Sequence, residues 1–136
     1  MNSRESSLKA IRLEIIPNTI KTEMSSEEYF QNSVLRPLIK FQNDLLIVIF
    51  LNFINTYKNV FFELSTEKKI TYIENALAKD RKLRNSLKNT VIALFTVEEY
   101  NSYTTNSSAL NKRMIGIIKE RLISHIQLLT EIGPTA

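Results

Sequence analysis

Arg121 and His125 stand one helical turn apart, in a stretch whose apolar arc is Leu110, Met114, Ile117, Ile118, Leu122, Leu128 and Leu129. On a helix both project into that arc, together with Asn111. Polar groups on a core-facing surface need partners, because a buried unpaired charge is strongly destabilising. Two arrangements meet that need. In one, the residues line a polar pocket, where Arg121 holds an anionic group and His125 moves a proton or donates a hydrogen bond. In the other they are structural, with Arg121 paired to Asp44 or a glutamate and His125 bonded to backbone. Asn52 is the fourth pocket candidate. It shares a face with Phe41, Leu45 and Val48 in an otherwise apolar segment, and it is expected either to bond Asn111 or Arg121 or to form the pocket wall.

A second constellation is basic. Arg81, Arg84 and Lys88 fall at helical spacing and form a ridge beside Leu83, Leu87 and Val91, the kind of ridge that binds phosphate backbones. Only Asn85 and Ser86 are at hand to read base edges, and they lie on another face. A nucleic-acid partner is therefore an alternative rather than the leading expectation.

Other chemistry finds little to stand on. Glu120 and the single histidine, His125, diverge by about 140° around a helix, so they do not form a metal-ligand pair. No cysteine is present, which removes thiol nucleophiles, zinc-thiolate sites and iron–sulfur clusters. The only glycines are Gly116 and Gly133, so no Gly-rich phosphate loop exists, and no G-x-S-x-G or H-E-x-x-H occurs. Glu27-Glu28 and Glu98-Glu99 read as first-turn partners of helix dipoles rather than as catalytic carboxylates. No catalytic residue, metal or cofactor is expected.

The elements that must carry these residues are helical. With two glycines and three prolines in 136 residues, the chain lacks the turn chemistry of a sandwich or a doubly wound sheet. Residues 1–24 read as an arm, extended or partly disordered, with Ile11, Leu13 and Ile15 alternating with polar residues before Pro17. A single helical domain is expected over 25–132. Ser25 and Glu28 form a capping box, and Pro37 implies a kink or a hand-over near Arg36 to a second helix running through LLIVIFLNFI to about Asn59. Ser65 and Asp80 cap the next two helices, with stripes at Ile70, Ile73 and Leu77 and at Leu83, Leu87, Val91 and Leu94. Thr96 and Glu99 make a further capping box before Tyr100 and Tyr103, and a last helix spans about Ser108 to Thr130 before Gly133-Pro134.

The fold expected is thus all-α, a compact bundle of five to six helices around a central apolar helix at about 38–59. Leu45 to Ile54 point in every direction on a helical wheel, so protein or lipid must surround them. A bilayer span needs about 20 apolar residues, whereas Asp44 precedes this run and Asn52, Asn55 and Lys58 break it, so no membrane insertion is expected. Lys9, Arg12 and Glu14 interrupt any signal-peptide core, which makes the cytoplasm the expected location. A net charge of +4 and a pI near 9.4 permit an acidic partner without requiring one.

The segments LRPLIKFQNDLLIVIF, RKLRNSLKNTVIALFTVEEY and NSSALNKRM resemble a group of small, uncharacterised, all-helical bacterial proteins that sometimes carry a glyoxalase label. The resemblance covers most of residues 5–130 and implies a helical fold without an assigned activity. The label itself fits poorly. The metal-dependent lyase of that name is built on paired β-α-β-β-β modules, and the hydrolase uses a T-H-x-H-x-D-H motif; this chain has neither pattern. The leading expectation is a non-catalytic interaction or regulatory module, binding a protein partner or itself, with a homodimer formed through the N-terminal arm. A small-ligand binder or enzyme using Arg121 and His125 is the alternative.

Overall fold

The computed structural model describes residues 2–12 and 26–133, which form helices, turns and short connections with no strand among them. Pro17 and Ser25, the first half of the expected capping box, lie outside the described residues. The element order is α1 (Asn2–Arg12), α2 (Ser26–Phe30), a π-helical turn (Gln31–Leu35), α3 (Arg36–Phe41), α4 (Asn43–Thr56) and a 3-10 turn (Val60–Glu63). Then follow α5 (Thr66–Lys79), α6 (Arg81–Ile92), α7 (Val97–Thr104), α8 (Ser107–Ser124) and α9 (Ile126–Ile132).

Short polar side chains start these helices where their positions predict. Ser65 Oγ accepts from Lys68 N at 3.3 Å, and Asp80 Oδ1 accepts from Leu83 N at 2.9 Å. The Thr96–Glu99 capping box is complete, with Thr96 Oγ1 accepting from Glu99 N at 3.1 Å and Glu99 Oε1 from Thr96 N at 2.9 Å.

A new element does begin at Arg36, as expected, but further breaks follow. Pro37 sits in the first turn of α3, where its missing N–H costs nothing, and the π-helical turn before it lets Arg36 N bond Gln31 O. The chain bends by 65° one step later, at Gln42. α4 stops at Thr56 rather than near Asn59, because Lys58 and Asn59 both take left-handed backbone angles, φ 62° and 60°, and Asn59 N closes the helix end on Ile54 O at 3.1 Å. The last helix is divided at His125. There Ser124 Oγ and His125 Nδ1 reach the Arg121 carbonyl at 2.9 and 2.7 Å and compete with the helical ladder.

The core is one cluster drawn from α2 to α9, with Leu38, Phe50, Ile54, Phe61, Ile73, Leu87, Met114, Ile118 and Leu129 all sealed from solvent. α4 packs on α6 and α8 through Leu46, Ile47, Phe50, Leu51 and Ile54. Among the described residues, the face opposite to these packed side chains is exposed. Leu45, Val48 and Asn52 lie on that face, and Leu45 and Val48 are 49% and 57% exposed. At the far end of α4, Phe50 and Phe53 join Tyr57, Phe61 and Tyr72 in an aromatic cluster with ring centroids 4.7 to 6.4 Å apart. Burial there, and secondarily Tyr57, raises the Tyr72 phenol above its ordinary pKa.

Of residues 1–24, read as an extended or partly disordered arm, Asn2–Arg12 form a helix with Leu8 buried, and 13–24 lie outside the described residues. This helix docks on the α6–α7 corner by matching helix ends. Arg4 donates to Ala93 O at 2.9 Å at the C-terminus of α6, and Glu5 accepts from Val97 N at 2.9 Å at the N-terminus of α7. Arg12, 7% exposed, forms a two-pronged ion pair with the capping-box carboxylate of Glu99. Charged residues and the buried Leu8 thus both contribute to this docking, while Leu13 and Ile15 lie outside the described residues.

Candidate functional site

The four pocket candidates do not converge. Asn111 Oδ1 accepts the Tyr103 hydroxyl at 2.6 Å and so ties α8 to α7. His125 turns its Nδ1 onto the Arg121 carbonyl, which can only accept, so this nitrogen carries the proton and the ring serves the α8–α9 break. Asn52 is exposed on the open face of α4, bonded to neither Asn111 nor Arg121. Arg121 lies on the wall of a groove that the other three do not line. Its partner is Asn43, not Asp44 or a glutamate: Arg121 Nε donates to Asn43 Oδ1 at 2.9 Å.

That cavity is a groove of about 640 Å³ between α3 and α8. Asn32, Arg36, Pro37 and Lys40 form one wall, with Ile117, Glu120, Arg121 and Ser124 opposite. Arg36 and Lys40 stand four residues apart and share a helix face. Arg36 Nε donates to Asn32 Oδ1 at 3.3 Å, so both guanidiniums in the groove are held through Nε by a neutral asparagine oxygen. Among the described residues no carboxylate pairs with Arg36, Lys40 or Arg121. Neither Arg36 nor Lys40 was singled out from sequence, although R-P-L-I-K carries the needed spacing and Asn32 stands one turn before it.

A second groove, of about 650 Å³, runs between α2 and α7–α8 past Glu27, Phe30, Glu98 and Asn101. Of its two carboxylates, Glu27 is already engaged. Glu27 accepts from Asn106 at 2.6 Å and from Arg113 at 3.4 Å.

The basic ridge is only partly a ridge. Arg84 folds back so that Nη1 donates to Leu77 O at 3.1 Å and Ala78 O at 2.9 Å, satisfying carbonyls at the end of α5. Arg81 is exposed and Lys88 half-buried, so the expected row of three free cations is interrupted at its centre. Among the described residues no three His, Cys, Asp or Glu side chains are grouped so as to hold a metal ion.

The most exposed apolar feature is the outer side of the α3–α4 bend. Phe41, Leu45 and Val48 are 52%, 49% and 57% exposed and follow at four- and three-residue spacing. No single helix among the described residues is long and apolar enough to cross a membrane. The pair Ser26–Phe41 and Asn43–Thr56 reaches the necessary length and composition only together, across its bend. No family model, curated protein or solved structure matches the chain.

Proposed function

We propose that this chain is a non-catalytic interaction module of the cytoplasm, and that its binding face is the stripe Phe41, Leu45 and Val48. The observation that carries the reading is the exposure of large apolar side chains in the most hydrophobic part of the sequence, on a face of α4 that no helix among the described residues covers. Asn52 continues the stripe one turn on, a position where a polar residue in a helical seam selects register and partner number.

The size of the stripe sets the strength. Half-exposed, the three side chains offer roughly 250–300 Å² of surface, against about 800 Å² per partner in a stable complex. Self-association through this face is therefore weak unless neighbouring surface joins it. Exchange of α1 between copies is a second route to a homodimer, since the residues that seat it on its own α6–α7 corner fit a neighbour's corner equally.

Sedimentation velocity over a range of concentrations tests both routes. A mass that rises with concentration and falls back to monomer in Val48→Asp supports the stripe. Dependence on residues 1–12 instead supports exchange of α1. A monomer at every concentration, unchanged by either alteration, refutes self-association. Nucleic-acid binding ranks lower as an alternative because Arg84 is occupied. The resemblance to helical proteins with a glyoxalase label adds no activity to this proposal.

A further inference from the structure

We infer that the groove between α3 and α8 binds the phosphate group of a small phosphomonoester. Arg4 and Arg12 are paired with Glu5 and Glu99, Arg113 with Glu27, and Arg84 with backbone carbonyls. Arg36 and Arg121 differ, because each is fixed through Nε alone by a neutral asparagine, Asn32 and Asn43. Such an anchor orients a guanidinium without neutralising it. The terminal nitrogens stay available as a planar fork, the geometry that grips a tetrahedral oxyanion with two parallel bonds.

Two of these forks and the ammonium of Lys40 line the same groove, in which Glu120 is the only carboxylate among the described residues. The surplus of two positive charges is repulsive while the groove is empty of anion, and a dianion relieves that repulsion. Three cations also suit the three terminal oxygens of a monoester better than the two of a carboxylate. Pro37 and Ile117 supply apolar walls for the organic part of the ligand, and Ser124 offers a hydroxyl. Glu120 favours a ligand with a hydroxyl or amine beside its phosphate, because that group can donate to the carboxylate.

The site is independent of the stripe at Leu45 and Val48, so it stands or falls separately from the interaction reading. Its test is a titration of the full chain followed by NMR of the arginine Nε–H groups, with inorganic phosphate, phenyl phosphate and the diester methyl phenyl phosphate as probes. Phenyl phosphate is expected to shift the Arg36 and Arg121 signals with a dissociation constant of about 1 mM or tighter. Inorganic phosphate should shift the same signals more weakly. Arg121→Gln and Arg36→Gln should each weaken phenyl phosphate binding by about tenfold or more, whereas Arg81→Gln, an equal loss of charge on α6, should leave it unchanged. Arg121→Lys keeps the charge but loses the fork, and should weaken binding nearly as much as Arg121→Gln. Glu120→Gln should tighten inorganic phosphate. The inference is overturned if the diester binds as tightly as the monoester, if Arg81→Gln weakens binding as much as Arg121→Gln, or if phenyl phosphate at about 10 mM leaves both signals unmoved.

Discussion

Lys69 is buried to 6% exposure in α5 with no carboxylate partner among the described ion pairs. Its Nζ donates to Thr130 Oγ1 at 3.0 Å and lies 5.5 Å from the centre of the Phe61 ring. A charged hydrogen bond contributes about 1.5–3 kcal/mol and a desolvated cation–ring contact about 1–2 kcal/mol. Taking an ammonium out of water costs several kcal/mol, so the two sides nearly cancel. The long stem is different, since its methylenes fill space between α5 and α9 whatever the head carries. Lys69→Met is therefore expected to be neutral or to stabilise by up to about 2 kcal/mol, because it keeps the stem and removes the desolvation cost. Lys69→Ala should lose about 2–4 kcal/mol through the cavity it leaves. Thr130→Val should lose about 1–3 kcal/mol, since it strands the ammonium without its hydroxyl acceptor. Urea titrations at constant m-value measure all three. If Lys69→Met loses as much stability as Lys69→Ala, the charge rather than the stem holds α9, and the reasoning is wrong.

Gly116 lies within α8 with nothing within 4 Å of a Cβ built on it, so Gly116→Ala should stabilise by about 0.5–1 kcal/mol, read as a higher melting temperature. Lys58 holds φ 62° at the end of α4, and Lys58→Gly should gain up to about 1 kcal/mol in the same assay; a loss would mean that its side chain contributes more than its backbone strain costs. Tyr72 has its phenol pKa raised by burial, so the unfolded chain ionises first as pH climbs. Its contribution is whole below the ordinary tyrosine pKa and is lost as pH rises above it toward the folded value. Tyr72→Phe should consequently flatten the fall in stability above about pH 10, and parallel alkaline curves for the two proteins would refute this.

Local chemistry was legible in the residues alone. Ser65, Asp80, Thr96 and Glu99 start helices because each cap satisfies N–H groups only three residues away, and no tertiary contact is needed to decide it. The stripes at Ile73–Leu77 and Leu83–Val91 are likewise buried where their spacing places them. The surroundings of Arg121 depend on long-range partners that no local pattern carries: its partner comes from α4 and the other groove cations from α3, brought beside it by the bend at Gln42.

All-helical architecture, the caps and the inward stripes follow from the sequence by itself, because glycine scarcity, hydrophobic period and hydrogen-bond capping act within a few residues. Tertiary structure alone decided which side of Leu45–Ile54 is covered. The segment is apolar all round, so no periodicity distinguishes Phe50, sealed against Phe61 and Tyr72, from Val48, turned outward. That choice was made by how many helices remain to pack against α4, and α6 and α8 cover only one face of it.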